Sequence, residues 1–120
     1  MATVLVVDDE HGVTDLFDVL LTTKGHRVLT AINGKHGLEM LAQEQVDLVF
    51  LDFMMPLMDG AVMLKFMKAD PTWQKIPVVL MSALPKEIIA QRCSGYVGFL
   101  RKPFQTFQIE NLTKYLGRLH

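Results

Sequence analysis

The sequence has few of the residues and runs that define several protein classes. A single cysteine, Cys93, excludes an internal disulfide, fits a reduced cytoplasmic setting and is expected to lie in or near the core. Twelve basic and thirteen acidic residues leave no electrostatic footprint for nucleic acid. No run approaches the roughly 20 apolar residues of a membrane span, and the N-terminus has no basic start of a signal peptide. We therefore expect a soluble protein with no direct nucleic-acid or membrane partner.

Two common ligand signatures are also missing. Gly34 and Gly37 do not follow a strand as a dinucleotide fingerprint requires. The four histidines show no metal-ligand spacing: His11, His26, His36 and His120. What remains is a chain of 120 residues, half of them hydrophobic, which is enough for one domain (1–120) with a substantial core.

Five apolar runs alternate with five amphipathic segments. The runs predict buried strands at residues 4–7, 27–31, 48–51, 77–81 and 96–100. The segments between them predict helices, the fourth of which is short and covers residues 86–92. The apolar residues expected to be buried by the other helices are Val13, Leu16, Phe17, Leu20 and Leu21; Leu38, Leu41 and Ala42; Met63, Phe66 and Met67; and Ile109, Leu112, Leu116 and Leu119. Because parallel strands need crossover helices, the alternation predicts a three-layer α/β sandwich with a parallel sheet.

Functional side chains follow four of the predicted strands at the point where each strand ends. Asp8 and Asp9 follow the first strand, Asp52 follows the third, Ser82 the fourth and Lys102 the fifth. The carboxyl ends of parallel strands meet at one edge of the sheet, where open α/β sheets bind ligands, so these side chains should converge. Crowded carboxylates hinder one another's ionisation unless a cation lies among them, and Mg²⁺ suits such oxygen ligands.

The same cluster indicates phosphoryl chemistry at Asp52. Three carboxylates, one Mg²⁺ and one lysine balance in charge, and a phosphoryl group on Asp52 adds negative charge that needs new donors. The Ser82 hydroxyl and the Lys102 ammonium are the donors in reach. A carboxylate that forms an aspartyl phosphate is an established nucleophile, and donors that move toward the new group make a switch.

Four motifs in this order resemble the response-regulator receiver domain of two-component signalling. They are VVDDE at residues 6–10, LDFMMPLMDG at 51–60, MSA at 81–83 and KPF at 102–104. Each is weak alone, but together they span essentially the whole chain at matching spacing. The resemblance implies a flavodoxin-like, doubly wound fold with a five-stranded parallel sheet in the order 2-1-3-4-5, flanked by five helices.

The resemblance also implies a role for each site residue. Asp52 accepts a phosphoryl group from a histidine kinase or a histidine phosphotransfer protein. Mg²⁺ is held by Asp9, Asp52 and the backbone carbonyl of Met54, with Asp8 acting mainly through water. Lys102 binds the phosphoryl group, commonly fixed by a cis Lys-Pro bond. Ser82 and Phe99 are the switch residues, and the surface formed by the fourth helix, fifth strand and fifth helix changes its affinity for a downstream target or output domain.

Three features depart from the family pattern. Met54 and Leu84 are apolar where many relatives carry polar side chains beside the path of the hydrolytic water, so slow loss of the phosphoryl group is expected. The fourth helix has about two turns, too few to be stable alone, and is expected to be the least ordered or most displaced part of the domain. Phe99 lacks a phenolic hydroxyl, so any switching by it works through packing.

Two rival functions come from other classes of protein. A small Mg²⁺-dependent phosphohydrolase would use Asp52 covalently, but the position two residues later, where a general acid would lie, is Met54. A binding module that never takes phosphate would lack an acid or the lysine, and none is missing. We therefore expect a phosphoacceptor switch with at most slow self-catalysed phosphorylation and dephosphorylation. The chain is either a single-domain protein or a receiver piece of a larger regulator or hybrid kinase.

Overall fold

Five strands and five α-helices alternate along the chain. A computed structural model describes the backbone of residues 1–119 and the side chains of residues 1–116. The elements are β1 (Thr3–Val7), α1 (His11–Thr23), β2 (Arg27–Ala31), α2 (Gly34–Gln43), β3 (Leu48–Asp52), α3 (Gly60–Ala69), β4 (Val78–Ser82), α4 (Lys86–Arg92), β5 (Gly98–Arg101) and α5 (Thr106–Leu112), followed by a 3₁₀ segment (Thr113–Leu119).

The strands form one parallel sheet in the order β2-β1-β3-β4-β5. This confirms the predicted fold class and strand order. β3 is the central strand, and all five of its residues are buried, which agrees with its continuous apolar sequence. Successive side chains of a strand point to opposite faces, so each strand contributes to two cores.

The two cores lie on opposite faces of the sheet. One core combines alternate strand residues with α2, α3 and α4, and its strand residues include Leu5, Val7, Val49, Leu51, Val78 and Leu80. The other combines the remaining strand residues with α1 and α5, and includes Val4, Val6, Leu48, Phe50, Val79 and Met81. A fully buried side chain of this size contributes about 1.5–3 kcal/mol, so the central strands are the most firmly held part of the molecule.

Most predicted helix faces are buried, with two corrections. Phe17, Leu21, Leu41, Met63 and Met67 are buried, and Val13, Leu16, Leu20 and Leu38 are partly buried. The prediction for Phe66 was wrong, because α3 turns Leu64 into the core and leaves Phe66 52% exposed. The prediction for Ala42 was also wrong, because it lies on the solvent side of α2.

The C-terminal helix is shorter than predicted. α5 ends at Leu112 and continues as a 3₁₀ segment rather than as one α-helix. Ile109 and Leu116 are buried and Leu112 is partly buried, as expected. The expectations for the Leu119 side chain and for His120 lie outside the described residues. Over the described part of the chain, no helix combines the length and the apolar character needed to cross a membrane.

Candidate phosphoacceptor site

The carboxyl ends of the strands are tied together by backbone hydrogen bonds. The Asp8 N–H donates to the Ala31 carbonyl at 3.0 Å, and the Phe53 N–H donates to the Met81 carbonyl at 2.8 Å. The Lys102 N–H donates to the Ser82 carbonyl at 2.8 Å. These bonds continue the sheet ladder past the last strand residues, so the side chains that follow the strands are held in fixed positions at one edge.

Three carboxylates meet at this edge. One oxygen of each of Asp8, Asp9 and Asp52 lies within 4.8 Å of an oxygen of the other two. Asp8 and Asp52 are buried, at 1% and 5% exposure, whereas Asp9 is exposed. The cluster therefore has a buried floor and one side open to solvent.

Lys102 joins the cluster from β5. Its Nζ lies 2.8 Å from Asp8 Oδ2 and 3.2 Å from Asp52 Oδ1. The same Nζ lies 3.0 Å from Glu10 Oε1. The Lys102–Pro103 peptide bond is cis. One ammonium thus faces three carboxylates, two of them buried, and cannot neutralise them all.

Glu10 is the residue that sequence reasoning missed. It was part of the VVDDE motif but was given no role, and its carboxylate brings a fourth negative charge to the site. Its backbone N–H donates to Asp8 Oδ1 at 2.9 Å, which helps to orient that carboxylate. The signal was present, because Glu10 continues the acidic run that follows β1.

Burial and crowding shift the proton affinity of these groups. Desolvation raises the pKa of Asp52 to about 7, the neighbouring charges of Asp8 and Asp9 add to the rise, and Lys102 opposes it. Desolvation also raises the pKa of Asp8 despite its hydrogen bonds with Lys102 and Glu10. The pKa of Lys102 is raised by the surrounding carboxylates, although burial alone would lower it. The site therefore holds unbalanced negative charge.

Oxygen donors and excess negative charge are the features that a hard divalent cation requires. Asp8, Asp9 and Asp52 offer carboxylate oxygens close to one another, and such few-carboxylate sites suit Mg²⁺ better than metals that prefer nitrogen or sulfur. A bound dication would favour the ionised form of both aspartates, whose pKa values are raised first by burial and further by the neighbouring negative charges. The residues therefore fit a Mg²⁺ ion.

The loop after β3 is fixed by a tight turn and a helix cap. Asp59 accepts a hydrogen bond from the Val62 N–H at 2.9 Å and caps α3, as a turn residue should. A Cβ at Gly60 would lie 2.3 Å from the Asp52 carbonyl oxygen, so only glycine fits where α3 begins. Leu57 has a φ of 67° and is 88% exposed. The turn therefore sets the position of Asp52 from its C-terminal side.

Among the described residues, the side chains of the other predicted site residues form no hydrogen bond with the carboxylates of the cluster. Ser82 is buried at the end of β4, and its hydroxyl accepts a hydrogen bond from the Leu84 N–H at 3.0 Å. Phe99 lies on β5 opposite Leu80 and is partly buried against the core. Met54 lies in the loop after Asp52 with a side chain that is 65% exposed. The structure thus joins Asp8, Asp9, Asp52 and Lys102 directly and places the rest around them.

The arrangement of the parallel sheet and its helices defines the class of the protein, and known structures share this fold. Chemotaxis response regulator CheY4 of Vibrio cholerae matches with a TM-score of 0.88 and 25% identity, over 96% of this chain and 98% of that one. The N-terminal receiver domain of a Methanoculleus marisnigri response regulator matches with a TM-score of 0.77 and 35% identity, over 96% and 95%. The molecule has the architecture of a receiver domain.

Sequence comparison gives the family. Residues 4–114 match the response regulator receiver domain family, and the chain belongs to it. It is 38% identical over 120 residues to Response regulator PleD of Caulobacter vibrioides, covering 95% of this chain but 26% of PleD. It is 32% identical over 113 residues to Sporulation initiation phosphotransferase F of Bacillus subtilis, covering 92% and 90%. The chain thus spans about a quarter of the length of PleD.

Proposed function

We propose that this receiver domain is a phosphorylation-dependent signalling switch and that Asp52 is its phosphoacceptor. The observation that carries the proposal is the position of the Asp52 carboxylate, buried beside two further aspartates and 3.2 Å from the ammonium of Lys102. A carboxylate held between a metal site and a fixed cation has what in-line phosphoryl transfer requires, namely positioning and compensation of charge.

Asp8, Asp9, Asp52 and the carbonyl of Met54 would hold Mg²⁺. When bound, the ion supplies positive charge for the phosphoryl oxygens and favours the ionised form of Asp52. Ionisation matters because the carboxylate anion is a far better nucleophile than the neutral carboxyl group, and burial raises the pKa of Asp52 to about 7. Asp9, which is exposed, and Asp8, which is buried, would then hold the ion from its open and closed sides.

The transfer step forms one bond and breaks one bond. An Asp52 carboxylate oxygen bonds to the phosphorus while the bond from phosphorus to the imidazole nitrogen of a phosphohistidine breaks. The electron pair of that bond stays on the imidazole, which takes up a proton. The Lys102 ammonium forms an ion pair with Asp52 Oδ1 before the reaction and would then pair with a phosphoryl oxygen.

Ser82 and Phe99 would carry the signal away from the site. The Ser82 hydroxyl now accepts from the Leu84 N–H, so turning it to donate to the phosphoryl group would release the start of the segment that leads to α4. Phe99 is partly buried against the same core on β5 and would fill the space that the moving loop leaves. Both changes alter the surface formed by α4, β5 and α5.

The phosphodonor would be a histidine kinase or a histidine phosphotransfer protein. Beside Lys102 the surface forms an apolar groove of about 420 Å³, lined among others by Val13, Leu16 and Phe104. A donor helix seated there would hold its histidine next to the open side of the cluster. The Bacillus relative bears the name of a phosphotransferase of sporulation, and a role in phosphorelay is in keeping with that likeness.

The experiment is labelling by a small phosphodonor. Acetyl phosphate with Mg²⁺ should add one phosphoryl group to the wild-type protein, seen by intact mass, and none to Asp52→Asn. Asp18→Asn, an exposed aspartate on α1, is the matched control and should label normally. Label that persists in Asp52→Asn would refute the assignment, and sustained turnover of a phosphoester substrate would instead support a phosphohydrolase.

A further inference from the structure

The outer face of α3 is apolar and open. Val62 and Phe66 are 41% and 52% exposed, and Ala69 is exposed beside them. Positions four and three residues apart lie on one side of a helix, so the three form a stripe that faces away from the core. Together with Lys65 they line a groove of about 350 Å³. An exposed aromatic at the centre of such a stripe is typical of a binding surface.

A second cavity of about 330 Å³ adjoins this groove between α3 and the connection from α4 to β5. On the side of that connection it is lined by Arg92, the last residue of the seven-residue α4, and by the three residues that follow, Cys93, Ser94 and Gly95. Lys65 lines both hollows, so the two lie on either side of this one side chain. The remaining cationic lining residues of the second cavity are Lys68 and Arg92.

The charge of this surface is of one sign. Three cations line the two hollows, and neither hollow has an aspartate or glutamate in its lining. Lys68 donates to the Gln74 carbonyl at 3.0 Å, whereas Lys65 and Arg92 form no ion pair with any side chain in the described part of the chain. Arg92 also lines a further hollow together with Asp59, the residue that caps α3. A partner with negative charge would therefore complement this surface.

We propose that the outer face of α3 and the cationic cavity beside it bind an amphipathic helix of a partner protein whose polar face is acidic. The apolar side of that helix would cover Phe66 and Val62, and its carboxylates would pair with Lys65 and Arg92. A second copy of this chain is a poorer occupant, because a two-fold contact through α3 would bring Lys65 toward its own counterpart.

The test uses the unmodified full chain and two synthetic peptides of about 18 residues, long enough to form a helix. Both have the same leucine face, and their polar faces consist of glutamate in one and lysine in the other. By fluorescence anisotropy at about 0.1 M salt, the glutamate peptide should bind at least about tenfold more tightly. Amide chemical shifts should change along α3 and at Ser94 and Gly95.

Two substitutions separate this surface from general stickiness. Phe66→Ala should weaken binding of the glutamate peptide by about tenfold. Phe107→Ala, which removes a similarly exposed phenyl ring (56%) from α5, should leave it unchanged. The double variant Lys65→Glu and Arg92→Glu should reverse the preference between the two peptides.

Equal binding of the two peptides, or loss of binding in Phe107→Ala as well, would overturn the proposal. So would the absence of binding, or a concentration-dependent dimer in sedimentation velocity that Phe66→Ala abolishes, since the face would then belong to a second copy. Because Phe66 lies outside the acidic cluster, acetyl phosphate should still label Asp52 in Phe66→Ala. Failure here therefore leaves the phosphoacceptor proposal standing.

Discussion

Without Mg²⁺, the ionised Asp52 carboxylate should destabilise the folded protein, and replacing it with asparagine should relieve that cost. Burial raises the pKa of Asp52 from 3.8 to about 7. Between pH 3.8 and pH 7 the Asp52 carboxyl group is protonated in the folded state but ionised in the unfolded state. The free energy of unfolding is therefore highest, as far as this group is concerned, below pH 3.8, and it falls as the pH rises to 7. Each pH unit in this range lowers the free energy of unfolding by about 1.4 kcal/mol, which amounts to about 4 kcal/mol over the whole range.

The cleanest measurement is the difference between wild type and Asp52→Asn at two pH values. The free energy of unfolding is measured with urea in EDTA. The value for Asp52→Asn minus the value for the wild type should increase by roughly 3 kcal/mol from pH 5 to pH 8, because the asparagine does not titrate. The difference removes contributions from histidines and other groups that both proteins share. The attraction of Lys102 is already contained in the raised pKa of Asp52.

Asp18→Asn is the control for this experiment, because Asp18 is exposed on α1. Its stability difference from wild type should stay within about 0.5 kcal/mol at both pH values. Saturating Mg²⁺ should stabilise the wild type at pH 8 more than Asp52→Asn, because the ion binds the folded state with one ligand more. Parallel pH profiles for wild type and Asp52→Asn would refute the argument that burial of this carboxylate destabilises the fold.

Three further outcomes are expected. Purified phosphoprotein with Mg²⁺ should keep its phosphoryl group for minutes or longer, as followed by a time course of intact mass. Replacing Met54 or Leu84 with asparagine should speed the loss of the phosphoryl group. A half-life of seconds for the wild type would contradict this expectation. Amides of α4 should exchange hydrogen faster than those of α3, because α4 has two turns and no side-chain cap, and high protection would contradict it. Gly60→Ala should lower the free energy of unfolding, measured with urea, by about 3 kcal/mol, because the added Cβ would clash with the Asp52 carbonyl oxygen. Gly12→Ala is the control and should not destabilise the protein, because a Cβ at Gly12 has no atom within 4 Å.

The central strands could be predicted from sequence because β1, β3 and β4 are covered on both faces. Val4–Val7 and Leu48–Leu51 are continuous apolar runs, and only a sheet with helices on both sides buries such a run completely. The edge to which Asp8, Asp52 and Lys102 converge followed from the parallel arrangement alone. The distances between individual oxygen and nitrogen atoms of the site could not be predicted from sequence, because they depend on how the strand ends are staggered.

The helices were predicted less well because α3 is apolar nearly all round. At about 100° per residue, Met63, Leu64 and Met67 share one face, while Phe66 lies about 100° from its centre. Spacing alone admits a face with Phe66 or one with Leu64, and the packing of α3 against α2 and the sheet decides between them. Glu10 was missed for another reason, since its role depends on the reach of Lys102 from a strand 92 positions away in sequence.

The difference in packing between the central strands and the edge strand β5 suggests a route by which a change of charge at Asp52 would alter the surface of the protein. Asp52 is the last residue of β3 and Asp8 directly follows β1, and these two strands pair on both sides and are buried almost throughout. Phe99 belongs to β5 and Lys102 directly follows it; this strand pairs with β4 alone and has one buried residue. In the proposed switch a new phosphoryl group would pull on the ammonium of Lys102, and the edge strand β5 has less packing than β3 to oppose movement. We infer that the central strands hold still and that β5, with α4 and α5 on either side of it, moves.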